Sequence, residues 1–199
     1  YSEKLDVGYQ PEIFDIENGY LSGYWQCEKY FKEFRAELLE LFRFPQNQIN
    51  EASRKMQDQI CREQAVAVHV RRGDYLLPEN NRKYGNICTL QYYRNAMQYM
   101  KEKVSDARFY FFSNDPEWVR ENLSEGDSVI VNCNHGKENY LDMYLISQCS
   151  HNIIANSSFS WWGAWLNRNP DKIIVSPKRW FSHLDVSDAV CEDWIRING

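Results

Sequence analysis

Hydrophobic and polar positions change rhythm along this chain of 199 residues. Residues 1–25 are loop-rich, with turn signals at Gly8, Pro11, Asn18-Gly19 and Gly23. The spacing of Tyr30, Phe31, Phe34, Leu38, Leu41 and Phe42 predicts an amphipathic helix over 26–43, and Pro45 follows its end. A polar stretch over 46–63, with a second helix around 50–60, bridges to the next domain. From residue 64 short apolar runs alternate with amphipathic stretches. Strands are expected at 65–71, 109–113, 129–131, 152–156 and 172–175. Helices are expected at 89–104, 138–149 and 159–167, and from Asp115 as cap with Pro116 in the first turn. A long loop fills 73–88. Strands alternating with helices predict an α/β chain with a doubly wound parallel sheet over 64–199.

The strand at 65–71 is apolar and then ends in charge, Val70-Arg71-Arg72-Gly73-Asp74. Side chains alternate along a strand, so Ala65, Ala67, His69 and Arg71 share one face and Val66, Val68 and Val70 the other. A core has no use for His, Arg and Asp, so the strand emerges there into a site. In open α/β sheets ligands bind at the carboxyl ends of strands. The second strand ends in Ser113, Asn114 and Asp115, and the fourth in Asn156, Ser157 and Ser158 before a helix. Arginines facing a helix N-terminus suit an anion, and a diphosphate above all. Plainer roles exist for each part: a core histidine, an Arg72–Asp74 pair pinning the loop, a serine that only caps. Trp161, Trp162 and Trp165 read as core packing, with sugar stacking the alternative, whereas Tyr24-Trp25-Gln26 sits among turns, where an aromatic beside an amide suits a carbohydrate, although a buried aromatic is the plainer role.

Composition narrows the chemistry. A net charge of −5, with basic residues scattered apart from Arg71-Arg72, argues against nucleic acid. There is no Walker pattern and no Gly-x-Gly-x-x-Gly, which excludes ordinary NTPase and dinucleotide chemistry. No Asp-x-Asp pair occurs, so no metal site is expected and the arginines can neutralise a leaving diphosphate themselves. No cofactor is expected. The six cysteines are widely spaced and read as free, mostly buried thiols. No apolar run approaches the ~18 residues of a membrane helix, and no signal-peptide pattern opens the chain. Lys, Asn and Ile usage points to a bacterial cytoplasmic protein, tied at most loosely to the inner face of the membrane.

Five segments carry a resemblance. His69-Val70-Arg71-Arg72-Gly73-Asp74-Tyr75 resembles the first signature of the α-1,2-fucosyltransferases, glycosyltransferase family eleven. Phe111 to Trp118 is similar to the second, Asp142 to Cys149 running into Asn152 to Leu166 to the third, and Pro177 to Phe181 to the last. Gly23 to Phe31 is similar to a family segment upstream. The resemblance implies a GT-B architecture in which 64–199 is the Rossmann-like domain that holds GDP-fucose. Residues 1–63 would be part of the acceptor-side domain and its linker; the Gly-Gly-Leu-Gly-Asn-Gln type opening of the family is absent. It implies inverting, metal-independent transfer of L-fucose from GDP-β-L-fucose to the 2-hydroxyl of a terminal galactose. Arg71 and Arg72 would hold the diphosphate, His69 and Asn114 would lie against the donor, and Asp142 would contact the guanosine. Ser157, Ser158 and Phe159 would line the nucleotide pocket, and Tyr24, Trp25 and Gln26 the acceptor side.

Inversion also asks for a base on the acceptor hydroxyl, for which Asp74 and Glu79 are the candidates. The other reading of the same residues is a non-catalytic nucleotide-sugar or glycan-binding module of this fold.

Overall fold

A computed structural model describes residues 1–4, 6–184 and 187–199. Its centre is a six-stranded sheet, all parallel, in the order β3-β2-β1-β4-β5-β6. The strands are β1 (Gln64–Val70), β2 (Ala107–Ser113), β3 (Val129–Val131), β4 (His151–Ile153), β5 (Ile174–Pro177) and β6 (Ile195–Ile197). The helices are α1 (Arg35–Leu41), α2 (Glu51–Ile60), α3 (Pro78–Tyr84), α4 (Leu90–Lys103), α5 (Pro116–Asn122), α6 (Tyr140–Gln148) and α7 (Ser158–Trp165). The order of the strands is that of a Rossmann-like domain, and it reverses between β1 and β4.

The alternation in β1 sorts the two faces as expected. Val66, Val68 and Val70 pack with Tyr92, Tyr93, Ala96 and Met100 of α4 and with Val119 of α5. Ala65 and Ala67 pack with Leu141, Tyr144 and Leu145 of α6 and with Ile60 of α2. Burying a strand on both faces leaves only its carboxyl end for chemistry. The two alanines are small enough for α6 to lie close to the sheet. α7 packs close against α6, since a Cβ on Gly163 would stand 2.6 Å from Ile146 Cγ2. A third cluster joins Trp161 and Trp165 of α7 to Trp180, Trp194 and the incoming Phe31, Leu38 and Leu39. Trp161 and Trp165 are therefore core, as read from the sequence, while Trp162 is only partly buried at its edge.

Several elements differ from the sequence reading. The helix expected over 26–43 is two 3-10 turns, Glu28–Tyr30 and Lys32–Phe34, followed by the short α1. Phe31 leaves helical geometry at φ −145°, ψ 9°, so its ring can stack on Trp162 at 5.6 Å and 16°. Tertiary packing outweighs the helical spacing there. The loop expected over 73–88 contains a 3-10 turn, Gly73–Leu76, and α3. β6 was not anticipated, β4 ends three residues early, and β5 begins two residues late. All six cysteines are free; Cys27, Cys149 and Cys191 are buried and Cys61 is exposed. No helix among the described residues is long and apolar enough to cross a membrane.

Candidate active site

The sheet delivers its polar strand ends to one cleft of about 720 Å³ at the carboxyl edge. His69 and Arg71 come from the end of β1 and the residue after it, Ser113 and Asn114 likewise from β2, and Asn132, Asn134 and His135 from the exit of β3. Ser157, Ser158 and Phe159 come from the start of α7, and Asp142 from the first turn of α6. The cleft thus lies where the strand order reverses, the usual place for a ligand in this topology.

Its electrostatics are uneven. Arg71 donates from Nη2 to Asp74 at 2.8 Å and lies 5.5 Å from the Tyr75 ring, which leaves part of its fork free. His69 is 6% exposed, and its Nδ1 has no partner among the described residues. Burial first, then Arg71, lowers its pKa to about 3, so the imidazole is neutral. A plain core histidine would be satisfied, and this one is not. Asp142 accepts from Asn134 Nδ2 at 2.8 Å; burial raises its carboxyl above the ordinary range, against that hydrogen bond and His135. Asn134 is itself fixed, because its Oδ1 accepts from Ser53 Oγ at 2.9 Å and Asn50 Nδ2 at 3.1 Å. Ser157 stands at the N-cap of α7 but its side chain caps nothing, so the helix offers its first N–H groups to the cleft.

A second cavity of about 260 Å³ adjoins the cleft, and Tyr75, Tyr84 and Ser158 line both. Tyr75 and Tyr84 stack at 5.1 Å and 21° in the dividing wall. Burial raises the Tyr75 phenol to about 12, and its hydroxyl donates to the Asn156 carbonyl at 3.0 Å. Tyr24, Trp25 and Gln26 line this second cavity with Phe31, Trp161 and Trp162. Glu3 holds the segment through the backbone N–H groups of Tyr24 and Trp25, at 2.6 and 3.2 Å. Trp25 sits at φ +50°, a costly left-handed conformation for an aromatic residue.

The residues singled out from the sequence therefore divide. His69, Arg71, Asp74, Asn114, Asp142, Ser157, Ser158 and Phe159 line the cleft together. Arg72 does not: its Nε donates to Asp115 at 3.1 Å and its guanidinium lies 4.2 Å from the Trp118 ring centre. Glu79 stands exposed in the first turn of α3 and lines neither cavity. The ion pair that pins the loop is Arg71–Asp74, not Arg72–Asp74. Asn156 turns inward, donating to the carbonyls of Tyr84 and Trp180, both at 3.1 Å. Asn134, His135, Tyr75 and Tyr84 were missed. The polar run Asn132-Cys133-Asn134-His135 after the third strand carried the same strand-end signal as the other three.

Comparison with known proteins identifies a family. Residues 12–198 match the profile of Glycosyl transferase family 11. The chain is 38% identical over 201 aligned positions to an alpha-1,2-colitosyltransferase of Escherichia coli, covering 99% of this chain and 67% of that protein. It is 32% identical to the O-antigen biosynthesis glycosyltransferase WbnK of Escherichia coli, covering 92% of this chain and 62% of the relative. It is 37% identical to galactoside alpha-(1,2)-fucosyltransferase 1 of Ateles belzebuth over 51% of this chain and 28% of that protein. The chain thus spans about two thirds of the length of its bacterial relatives.

Proposed function

Because the chain belongs to glycosyltransferase family 11, we propose that it forms the donor-binding part of an enzyme that moves a fucosyl or colitosyl group from a GDP-linked sugar to the 2-hydroxyl of a galactoside. In this reading 64–199 is the nucleotide-sugar domain of a GT-B enzyme and 1–63 belongs to the acceptor side. The observation that carries it is the convergence of Arg71, the unpartnered His69, the Asn134-bound Asp142 and the open start of α7 on one cleft.

Each group has a task matched to its chemistry. The Asp142 carboxylate complements the adjacent N–H donors on the edge of a guanine base. Arg71 and the first N–H groups of α7 face the diphosphate, whose negative charge grows as the glycosyl bond breaks. Donors fixed in advance on that growing charge stabilise the transition state more than the ground state. They do this without a metal, in keeping with a sequence that has no Asp-x-Asp pair. Asp74 holds Arg71 in place. The aromatic cavity beyond Tyr75 and Tyr84, with Tyr24, Trp25 and Gln26 in its wall, receives the acceptor. The anomeric carbon bonds to the acceptor oxygen on the face opposite the departing GDP. The hydroxyl proton leaves to solvent, since Asp74 is engaged by Arg71 and Glu79 lies outside both cavities.

The test is GDP release from GDP-fucose with and without a β-galactoside, in the presence of EDTA. The reading expects release that the galactoside accelerates, with an α-1,2-linked product by NMR. Saturable GDP binding with neither hydrolysis nor transfer would leave a binding module instead.

A further inference from the structure

Arg71 and Arg72 are neighbours, yet they leave β1 in different directions. Arg71 enters the cleft with Asp74, whereas Arg72 crosses to the start of α5. There its Nε donates to Asp115 Oδ2 at 3.1 Å and its guanidinium lies over Trp118 at 4.2 Å. Its backbone N–H donates to Asn114 Oδ1 at 3.0 Å. Asp115 is itself fixed, because its Oδ1 caps α5 by accepting from the Trp118 N–H at 3.1 Å. Its own N–H donates to Ser113 Oγ at 2.9 Å, and that hydroxyl donates to the Val70 carbonyl at 2.9 Å. These bonds join the exits of β1 and β2 into one strap.

The strap leaves no slack toward the cleft. Gly73 follows Arg72 at φ +37°, and a Cβ there would stand 2.2 Å from Asn114 Nδ2. Only glycine passes so close to that amide in this conformation. The next residue, Asp74, grips Arg71. To reach a phosphate, Arg72 would abandon both its carboxylate and its stacked indole, while Arg71 is already in the cleft.

On the donor reading of that cleft, we propose that Arg72 is a positioning residue. It fastens the exit of β1 to α5 and so holds Asn114, and through Gly73 and Asp74 the Arg71 fork, against the donor. It does not touch the diphosphate.

The experiment measures the GDP dissociation constant by calorimetry, with donor and acceptor KM, for R72A, R72K, W118L and R72A/W118L, well below their melting temperatures. R72A and W118L are expected to weaken GDP and raise donor KM by similar factors, about 3- to 30-fold, the equivalent of one stacked guanidinium. Acceptor KM stays unchanged. The double variant is no worse than the weaker single variant, because both changes break one strap. R72K is not rescued, since an ammonium cannot both lie flat on the indole and hold Asp115. If R72A does not fold, R72K and W118L carry the comparison. The proposal fails if R72K binds GDP normally while the R72A and W118L losses multiply, the pattern of a direct phosphate contact. It fails equally if donor affinity survives in R72A, the mark of a purely structural role. A wild-type protein that binds no guanine nucleotide overturns the donor reading first, and this assignment with it.

Discussion

Replacing Asn156 by alanine removes a junction that the whole carboxyl edge leans on. The side chain is 2% exposed and donates from Nδ2 to the carbonyls of Tyr84 and Trp180, both at 3.1 Å. Its Oδ1 accepts a weaker bond from Cys88 Sγ at 3.4 Å. It therefore ties the end of α3 to the segment after β5 across the wall of both cavities. Two neutral hydrogen bonds contribute about 1 kcal/mol each, and a buried carbonyl left without a donor costs about 1–3 kcal/mol more. Trp180 is 3% exposed, so water does not readily replace the lost donor at its carbonyl. The expected loss is about 3–5 kcal/mol, or roughly 6–20 °C in Tm for a domain of this size. Urea unfolding measures it directly. A loss below about 1 kcal/mol, with an unchanged denaturant slope, would refute the reasoning, because it would mean that neither carbonyl depends on Asn156.

Other predictions concern single groups. Burial raises the Asp142 carboxyl in the fold, and a carboxyl raised there loses stability as pH climbs through its folded value. Asp142→Asn therefore stabilises the unliganded protein near neutral pH, with no gain below the ordinary carboxylate range, while GDP binding weakens; unfolding curves that match wild type at neutral pH would count against this. His69 behaves oppositely. Its pKa of about 3 means that the unfolded chain takes a proton the fold refuses, so stability declines as pH falls from about 6.5 toward that value. His69→Gln flattens this decline without abolishing it, because burial also lowers His151; an unaltered acid limb in chemical unfolding contradicts the assignment. Among the thiols, Cys61 is exposed, whereas burial pushes Cys88 up to about 12. Native alkylation followed by peptide mass mapping should find Cys61 modified well before Cys88.

The strand-and-helix rhythm after residue 64 carried most of the fold, because strands buried on both faces are continuous apolar runs. Asp115 and Pro116 announced α5 through their own chemistry, and Asp115 does accept from the Trp118 N–H. What escaped was short or lacked a pattern. β6 is three residues at the sheet edge, too few to display alternation. α3 reads Pro-Glu-Asn-Asn-Arg-Lys-Tyr, without an apolar stripe to mark it. Over 26–43 the helical spacing was present, but Phe31 leaves helical geometry and its ring stacks on Trp162, a tertiary contact that the spacing does not display. In the site, residue types at strand ends were legible and side-chain direction was not. Nothing in the pair Arg71-Arg72 says which guanidinium turns to the cleft; Trp118, forty-six positions beyond Arg72, takes the other.

The most direct measurement is thermal unfolding of the wild-type protein and Arg71→Ala across a GDP titration. GDP at 100 times its Kd should add about 2.7 kcal/mol, roughly 5–11 °C in Tm. Arg71→Ala should need about ten- to a hundredfold more GDP for the same rise, the loss of one charged contact to phosphate. No rise with any guanine nucleotide, or the same rise at the same concentration in both proteins, would contradict the account.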